Sequence, residues 1–152
     1  MGVSSVWTRR SFLAAGGVLA AGCRSKHAEG YRGFAYVAIA GSRSVAVVDL
    51  LSFGLRSSIA LTCQPSQLVS DPDPAQRIAF TAGKSADGTA VLERVDLAAR
   101  KTVARTALGT GDPLVRKDHR GFLWTSAGDA KLRAWHAKTL RPGTQVNLAA
   151  RA

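Results

Sequence analysis

The side chains here that could do chemistry are two thiols, three imidazoles and a repeated aspartate. A thiol attacks or ligates only as the thiolate, which needs a neighbouring base or cation. A structural metal centre needs Cys and His at short, paired spacing. Cys23 and Cys63 lie in different parts of the chain, and no Cys-x-x-Cys-His segment or paired ligand spacing occurs. His27 follows Cys23 closely, His119 sits in the turn-like Asp118-His119-Arg120, and His136 ends an apolar run. Each stands alone, and a lone turn histidine is far more often solvated than catalytic. Asp49 and Asp96 hold the same place in Val48-Asp49-Leu50 and Val95-Asp96-Leu97. A strand-ending aspartate there is expected to bond its own turn backbone, not to form a carboxylate pair. Ser-His-Asp groupings and glycine-rich phosphate loops are missing. No catalytic residue, metal or cofactor is expected, and the chain reads as a non-enzyme.

The amino terminus carries a different kind of chemistry. Thr8-Arg9-Arg10-Ser11-Phe12-Leu13 precedes an apolar run of small residues, Ala14 to Gly22, and then Cys23. A charged region, a short apolar region and a small-residue processing site have the layout of a secretion signal. Ser11 to Gly22 is well short of the roughly 20 residues of a spanning helix. The segment resembles the twin-arginine signal family in Thr8, Arg9, Arg10, Phe12 and Leu13, with Ala14 departing from the usual lysine. A guanidinium pair offers rigid forked donors that an ammonium cannot copy. Leu19-Ala20-Ala21-Gly22-Cys23 resembles a lipobox, although Ala20 stands where leucine is preferred. The resemblance implies cleavage before Cys23 and a thioether lipid on its thiol. Arg24 and Lys26 would then face anionic headgroups, each adding on the order of 1 kcal/mol. Lipidation uses up Cys23, so Cys63 has no partner and reads as a small buried or loop-edge residue. The expected location is the periplasm or cell envelope, lipid-anchored to a membrane.

The chain carries 21 Lys and Arg against 10 Asp and Glu, a formal charge of +11. Residues 1–22 hold Arg9 and Arg10 and no acid. The basic residues are scattered singly (Arg43, Arg56, Arg77, Arg94, Arg116, Arg133) with no block of five or six. Such spacing reads as a solvated basic surface, and an exported chain meets no nucleic acid.

Behind the anchor and a linker over 23–33, apolar runs of four to seven residues alternate with turn residues, as in Phe34–Ala40 and Val45–Val48. Gly41-Ser42, Asp87-Gly88 and Pro142-Gly143 are read as turns. Helical spacing is not sustained, so the region 34–152 is predicted all-β. Residues 34–61 slide onto 121–148 without a gap: Ala40-Gly41 meets Ala127-Gly128, Val45 meets Leu132, Val48 meets Trp135 and Leu61 meets Leu148. A middle copy aligns Val48-Asp49-Leu50 with Val95-Asp96-Leu97, its excess residues falling at Gly83 to Thr89. The period suits a four-stranded propeller blade of about 40–45 residues.

Strands are expected at 34–40, 44–49 and 56–61; at 66–70, 76–82, 90–96 and 102–108; and at 113–117, 121–126, 131–136 and 144–148. Blades then span about 34–61, 62–108 and 109–148, the first lacking its inner strand. The fold class is an incomplete all-β propeller of about three blades behind an N-terminal signal helix, with a small β-sandwich as the alternative. Trp124 and Trp135 are expected to fill space between sheets. Tyr36-Val37-Ala38, Ser44 to Asp49 and Arg56 to Leu61 resemble the YVTN family of bacterial propeller repeats, from which Trp135-His136 has drifted.

Three blades leave two apolar sheet faces bare, on the order of several hundred Å² each. A truncated or frameshifted product, copies closing a ring together and a small open stack are the three explanations, in that order of preference. The expected function is a membrane-anchored lipoprotein whose repeats form a non-catalytic binding or scaffold module. Its partners are the membrane, through the lipid, and a protein or second copy on the exposed blade faces. The alternative is a remnant or subunit of an exported propeller enzyme, lactonase-like or a periplasmic dehydrogenase subunit, since proteins of similar fold include both.

Overall fold

Short runs of β-branched and aromatic residues cannot bury themselves alone, but they can as pleated layers stacked face to face. The computed structural model describes residues 32–71, 73 and 75–148. The twin-arginine residues, Cys23 and the signal helix lie outside these described residues. Among these described residues eleven strands form three antiparallel sheets. The first holds β1 (Phe34–Ile39), β2 (Ser44–Asp49) and β3 (Gly54–Ala60). The second holds β4 (Gln64–Ser70), β5 (Ile78–Lys84), β6 (Thr89–Asp96) and β7 (Lys101–Thr110). The third holds β8 (Leu114–Lys117), β9 (Phe122–Ser126), β10 (Lys131–His136) and β11 (Pro142–Asn147). Within each sheet the strands pair in chain order. These are three blades of a β-propeller, with three, four and four strands as the repeat implies.

The second sheet is covered on both sides. Ile78, Phe80, Ala82, Ala90 and Leu92 face the third sheet, against Val115, Leu123 and Trp135. Ala79 and Val95 face the first sheet, against Val45, Val47 and Ile59. This is why β5 is apolar at consecutive positions: alternate residues leave for opposite layers, and both layers are dry. The inner strands β4 and β8 are tied by the Gln67 side chain, whose Oε1 accepts the Val115 amide at 2.7 Å.

The repeat is visible bond by bond. The Leu61 amide donates to the Arg43 carbonyl at 2.9 Å, and Leu148, its repeat equivalent, donates to the Ala130 carbonyl at 2.7 Å. Asp49 Oδ1 accepts the amides of Leu51 and Ser52, and Asp96 Oδ1 accepts those of Ala98 and Ala99. Both aspartates therefore serve their own turns, as the strand-end reading expects. The same hairpin in each blade places a non-glycine residue in the left-handed region: Phe53, Arg100 and Leu140, with φ of 51°, 55° and 52°. The turn needs that twist whatever residue occupies it, at a cost on the order of 1 kcal/mol apiece.

The structure differs from the sequence reading in three places. Pro142-Gly143 opens β11 instead of forming a turn, because proline's missing N–H is harmless at a strand's first residue; the turn is at Ala137–Thr139. The predicted insertion at Gly83 to Thr89 shrinks to Ser85–Gly88, since β5 runs on to Lys84. Gly83 is required there, because a Cβ would run into the Gln64 carbonyl. The middle copy's extra length also goes into β7, which is bulged twice against β6. Trp135 fills space between sheets as expected, its indole N–H donating to the buried Thr125 hydroxyl at 2.8 Å. Trp124 does not: it pairs with Arg116 and Ala134, on the sheet face opposite Val115, Leu123 and Trp135. Its indole N–H bonds Asp118 Oδ2 at 3.0 Å.

Candidate functional site

A cleft of about 560 Å³ opens between the second and third sheets, at the end where β4, β6, β8 and β10 finish. Register builds it. Phe80 pairs with Arg94 across β5 and β6, so both leave the sheet toward the third blade. Lys117 pairs with Leu123 across β8 and β9 and points back toward the second. Ile78, Phe80 and Ala137 make the apolar floor, and Arg94, Lys117, Arg120, Lys138, Asp71 and Asp73 supply the charge.

Lys117 and Asp71 close one wall with a 2.8 Å ion pair, both side chains largely buried. Burial pushes the Asp71 carboxyl up. The Lys117 hydrogen bond, the Asp73 amide and the charges of Lys117 and Arg94 outweigh it and hold the group below the usual carboxylate range. The pair ties the end of β4 to the end of β8. Asp73 is occupied locally, its Oδ1 accepting the Ala75 amide at 3.0 Å and its Oδ2 the Gln76 side-chain amide at 3.3 Å. Arg94 differs. Its Nε is buried and has no hydrogen-bond partner.

Arg120 reaches the rim on a turn that Asp118 organises. Asp118 Oδ1 accepts the amides of Arg120 and Phe122, both at 2.9 Å. His119 lies within this turn. His136 ends β10 at the rim, with its ring centroid 4.7 Å from that of Phe122. The structure thus brings one of the three histidines considered in the sequence to the cleft, along with cations that were read as solvated surface. Their positions, 94, 117, 120 and 138, carry no spacing signal; only the register of two sheets unites them.

A second polar cluster lies between the first and second sheets. Glu93 pairs with Thr81 and Arg105 across its neighbours and is fully buried. Its Oε1 accepts the Thr62 amide at 3.0 Å and the Thr62 hydroxyl, while Oε2 has no partner. Cys63, at 0% exposure, sits beside this carboxylate as a free thiol. Burial and then the Glu93 charge push the thiol up to about 11, with the Thr81 hydroxyl and the Arg105 charge opposing them. A thiol so held is protonated and inert at neutral pH. A disulfide reagent at pH 8 is expected to leave Cys63 unmodified in the folded chain and to react fully in denaturant. Because the folded thiol binds its proton more tightly than the unfolded one, this stabilisation is present below about pH 9 and is lost as pH rises toward 11. Fast native labelling, or no loss of stability between pH 9 and 11, would contradict the assignment.

Among the described residues no group of three or more His, Cys, Asp or Glu is placed to hold a metal, and no helix is long and apolar enough to cross a membrane.

No family model and no curated protein sequence matches the chain. Solved structures match in shape. Citrobacter koseri AztD superposes with a TM-score of 0.61 at 17% identity, over 78% of this chain and 34% of that one. Kuenenia stuttgartiensis hydrazine synthase gives 0.61 at 12% identity, over 82% and 38%. Dihydro-heme d1 dehydrogenase NirN, solved in complex with DHE, gives 0.57 at 17% identity, over 74% and 27%. The chain therefore spans roughly a third of the length of these proteins. Likeness at such identities concerns the propeller fold alone.

Proposed function

We propose that this chain is an exported lipoprotein, anchored through Cys23, whose YVTN-like blades act as a non-catalytic binding or scaffold module in the periplasm or cell envelope. The observation that carries the binding half is the open cleft between the second and third blades. Its volume suits a small ligand, its floor is apolar, and its walls carry charge positioned by Asp71, which pairs with Lys117, and by Asp118, which holds the Arg120 turn. Its polar lining is four cations, two carboxylates, the Gln76 amide, the Thr139 hydroxyl and the His136 imidazole, and the two carboxylates are already engaged by Lys117, Ala75 and Gln76, which is chemistry for holding a ligand more than for attacking one.

The Arg9-Arg10 motif and the lipobox residues support the anchoring half. In a bacterium with a working twin-arginine route, the full chain is expected to take up a labelled fatty acid and to fractionate with membranes. Cys23→Ser is expected to abolish the label, and the double change Arg9→Lys, Arg10→Lys to hold the precursor in the cytoplasm. Label on the serine variant, or a wild-type chain that stays unlabelled in the cytoplasm, would refute the anchor.

One observation favours a second reading, a remnant or subunit of an exported propeller enzyme: two of the similar structures are of a synthase and a dehydrogenase. Stoichiometric metal in the purified chain together with lactone turnover would move the assignment to that class.

A further inference from the structure

We propose that the cleft between the second and third blades takes a small organic anion, its carboxylate or phosphate head on Arg94 and its apolar body over Ile78 and Phe80. This rests on reading the blades as a binding module and names the ligand class that the module accepts.

Three observations converge. The cleft's cations outnumber its acids: Arg94, Lys117, Arg120 and Lys138 stand against Asp71 and Asp73. Lys117 is paired with Asp71, and Asp73 is taken up by the Ala75 amide and Gln76. Asp73 keeps its charge among these neutral donors, so Arg94, Arg120 and Lys138 outweigh it and leave the cleft positive. Arg94 Nε is a buried donor without an acceptor, an arrangement that costs free energy unless something accepts from it. A planar guanidinium presents forked donors that match the two oxygens of a carboxylate or phosphate. Finally, Ile78, Phe80 and Ala137 give a floor that an inorganic ion would not use. A cation would meet repulsion, and a neutral acceptor would bond to Arg94 without the charge assistance that an anion adds.

Calorimetric titration of the purified full chain at low salt tests this with five probes: phenylacetate, phenyl phosphate, 2-phenylethanol, phenethylamine and inorganic phosphate. The two aromatic anions are expected to bind at least about tenfold more tightly than the other three, the loss that one charge-assisted hydrogen bond implies. Rising salt is expected to weaken them. Arg94→Met is expected to remove about tenfold of that affinity with its thermal transition retained, and Arg43→Met, in the first blade, to change nothing. Equal binding of 2-phenylethanol or phenethylamine would overturn the anion while leaving the binding module standing. Equal binding of inorganic phosphate would overturn the organic body. Binding indifferent to Arg94→Met would remove the assigned head site. No binding by any probe would take down this proposal, and the cleft as the module's site with it. Should Arg94→Met fail to fold, the comparison of probes on the unaltered chain still decides.

Discussion

Replacing Phe80 with alanine is expected to lower the unfolding free energy by about 3–5 kcal/mol, among the largest effects of apolar truncation at the described residues. Among the described residues Phe80 is the bulkiest of the fully buried side chains, 1% exposed, and lies in the layer shared by the second and third sheets. It belongs to one buried cluster with residues from the strands of both sheets and the β10–β11 turn, including Leu92, Val115, Leu123, Trp135 and Leu140. Two sheets held apart by other side chains cannot close over the vacated volume, so the transfer loss and a cavity term add. Set against the roughly 5–15 kcal/mol of an ordinary domain, this change brings the chain near the unfolding threshold. Equilibrium urea unfolding checks it, with Phe53→Ala as the contrast. Phe53 is 82% exposed at a hairpin tip, and its loss is expected to alter stability by no more than about 0.5 kcal/mol. A Phe80→Ala variant with an unchanged midpoint would mean that the second and third sheets are not packed as a common core.

Phe80 also shows why the architecture was legible from sequence while the cleft was not. The period that places Leu61 over Leu108 and Leu148 arises because every blade must bury the same face in the same way. Local hydrophobic order and global stacking are then one signal, and strand number and blade limits follow from it. The Asp49 and Asp96 turns were readable for the same reason: the interaction is local, an aspartate and the amides two and three residues on. Trp124 was misread because apolar strands were taken to look inward on both faces. Among the described residues, its face of the third sheet has no neighbouring sheet. Arg94, Lys117 and Arg120 each sit where a single sequence shows only one more scattered cation. Their meeting depends on which face of each strand turns toward the next blade, and a bulge or one residue of register would send each to the other side. The same holds for Glu93. Between Leu92 and Arg94 it reads as a solvent-facing position, yet it is enclosed because the first blade covers that face.

Glu93 carries the second large effect, and here the sign is the informative part. Glu93→Gln is expected to raise the unfolding free energy by about 1–3 kcal/mol, whereas Glu93→Ala is expected to lower it by about 2–4 kcal/mol. Burying a carboxylate costs several kcal/mol even after relaxation, and only close pairing offsets that. Glu93 has two donors from Thr62 on Oε1 and none on Oε2, and no cation within ion-pair distance among the described residues. A glutamine keeps the oxygen that Thr62 needs and removes the buried charge at nearly constant volume. Alanine removes the charge too, but it opens a hole between the blades and leaves the Thr62 amide and hydroxyl without their acceptor. The thiol supplies an independent reading, because part of its upward displacement comes from the Glu93 charge. In Glu93→Gln the Cys63 titration is expected to fall below about 11 while burial keeps it above its ordinary value. Thermal unfolding and pH-dependent alkylation of the same variant therefore move together if Glu93 is a strained buried charge. If the glutamine variant is less stable instead, the Thr62 bonds to the carboxylate outweigh its burial, and the account of Glu93 as a strained charge fails.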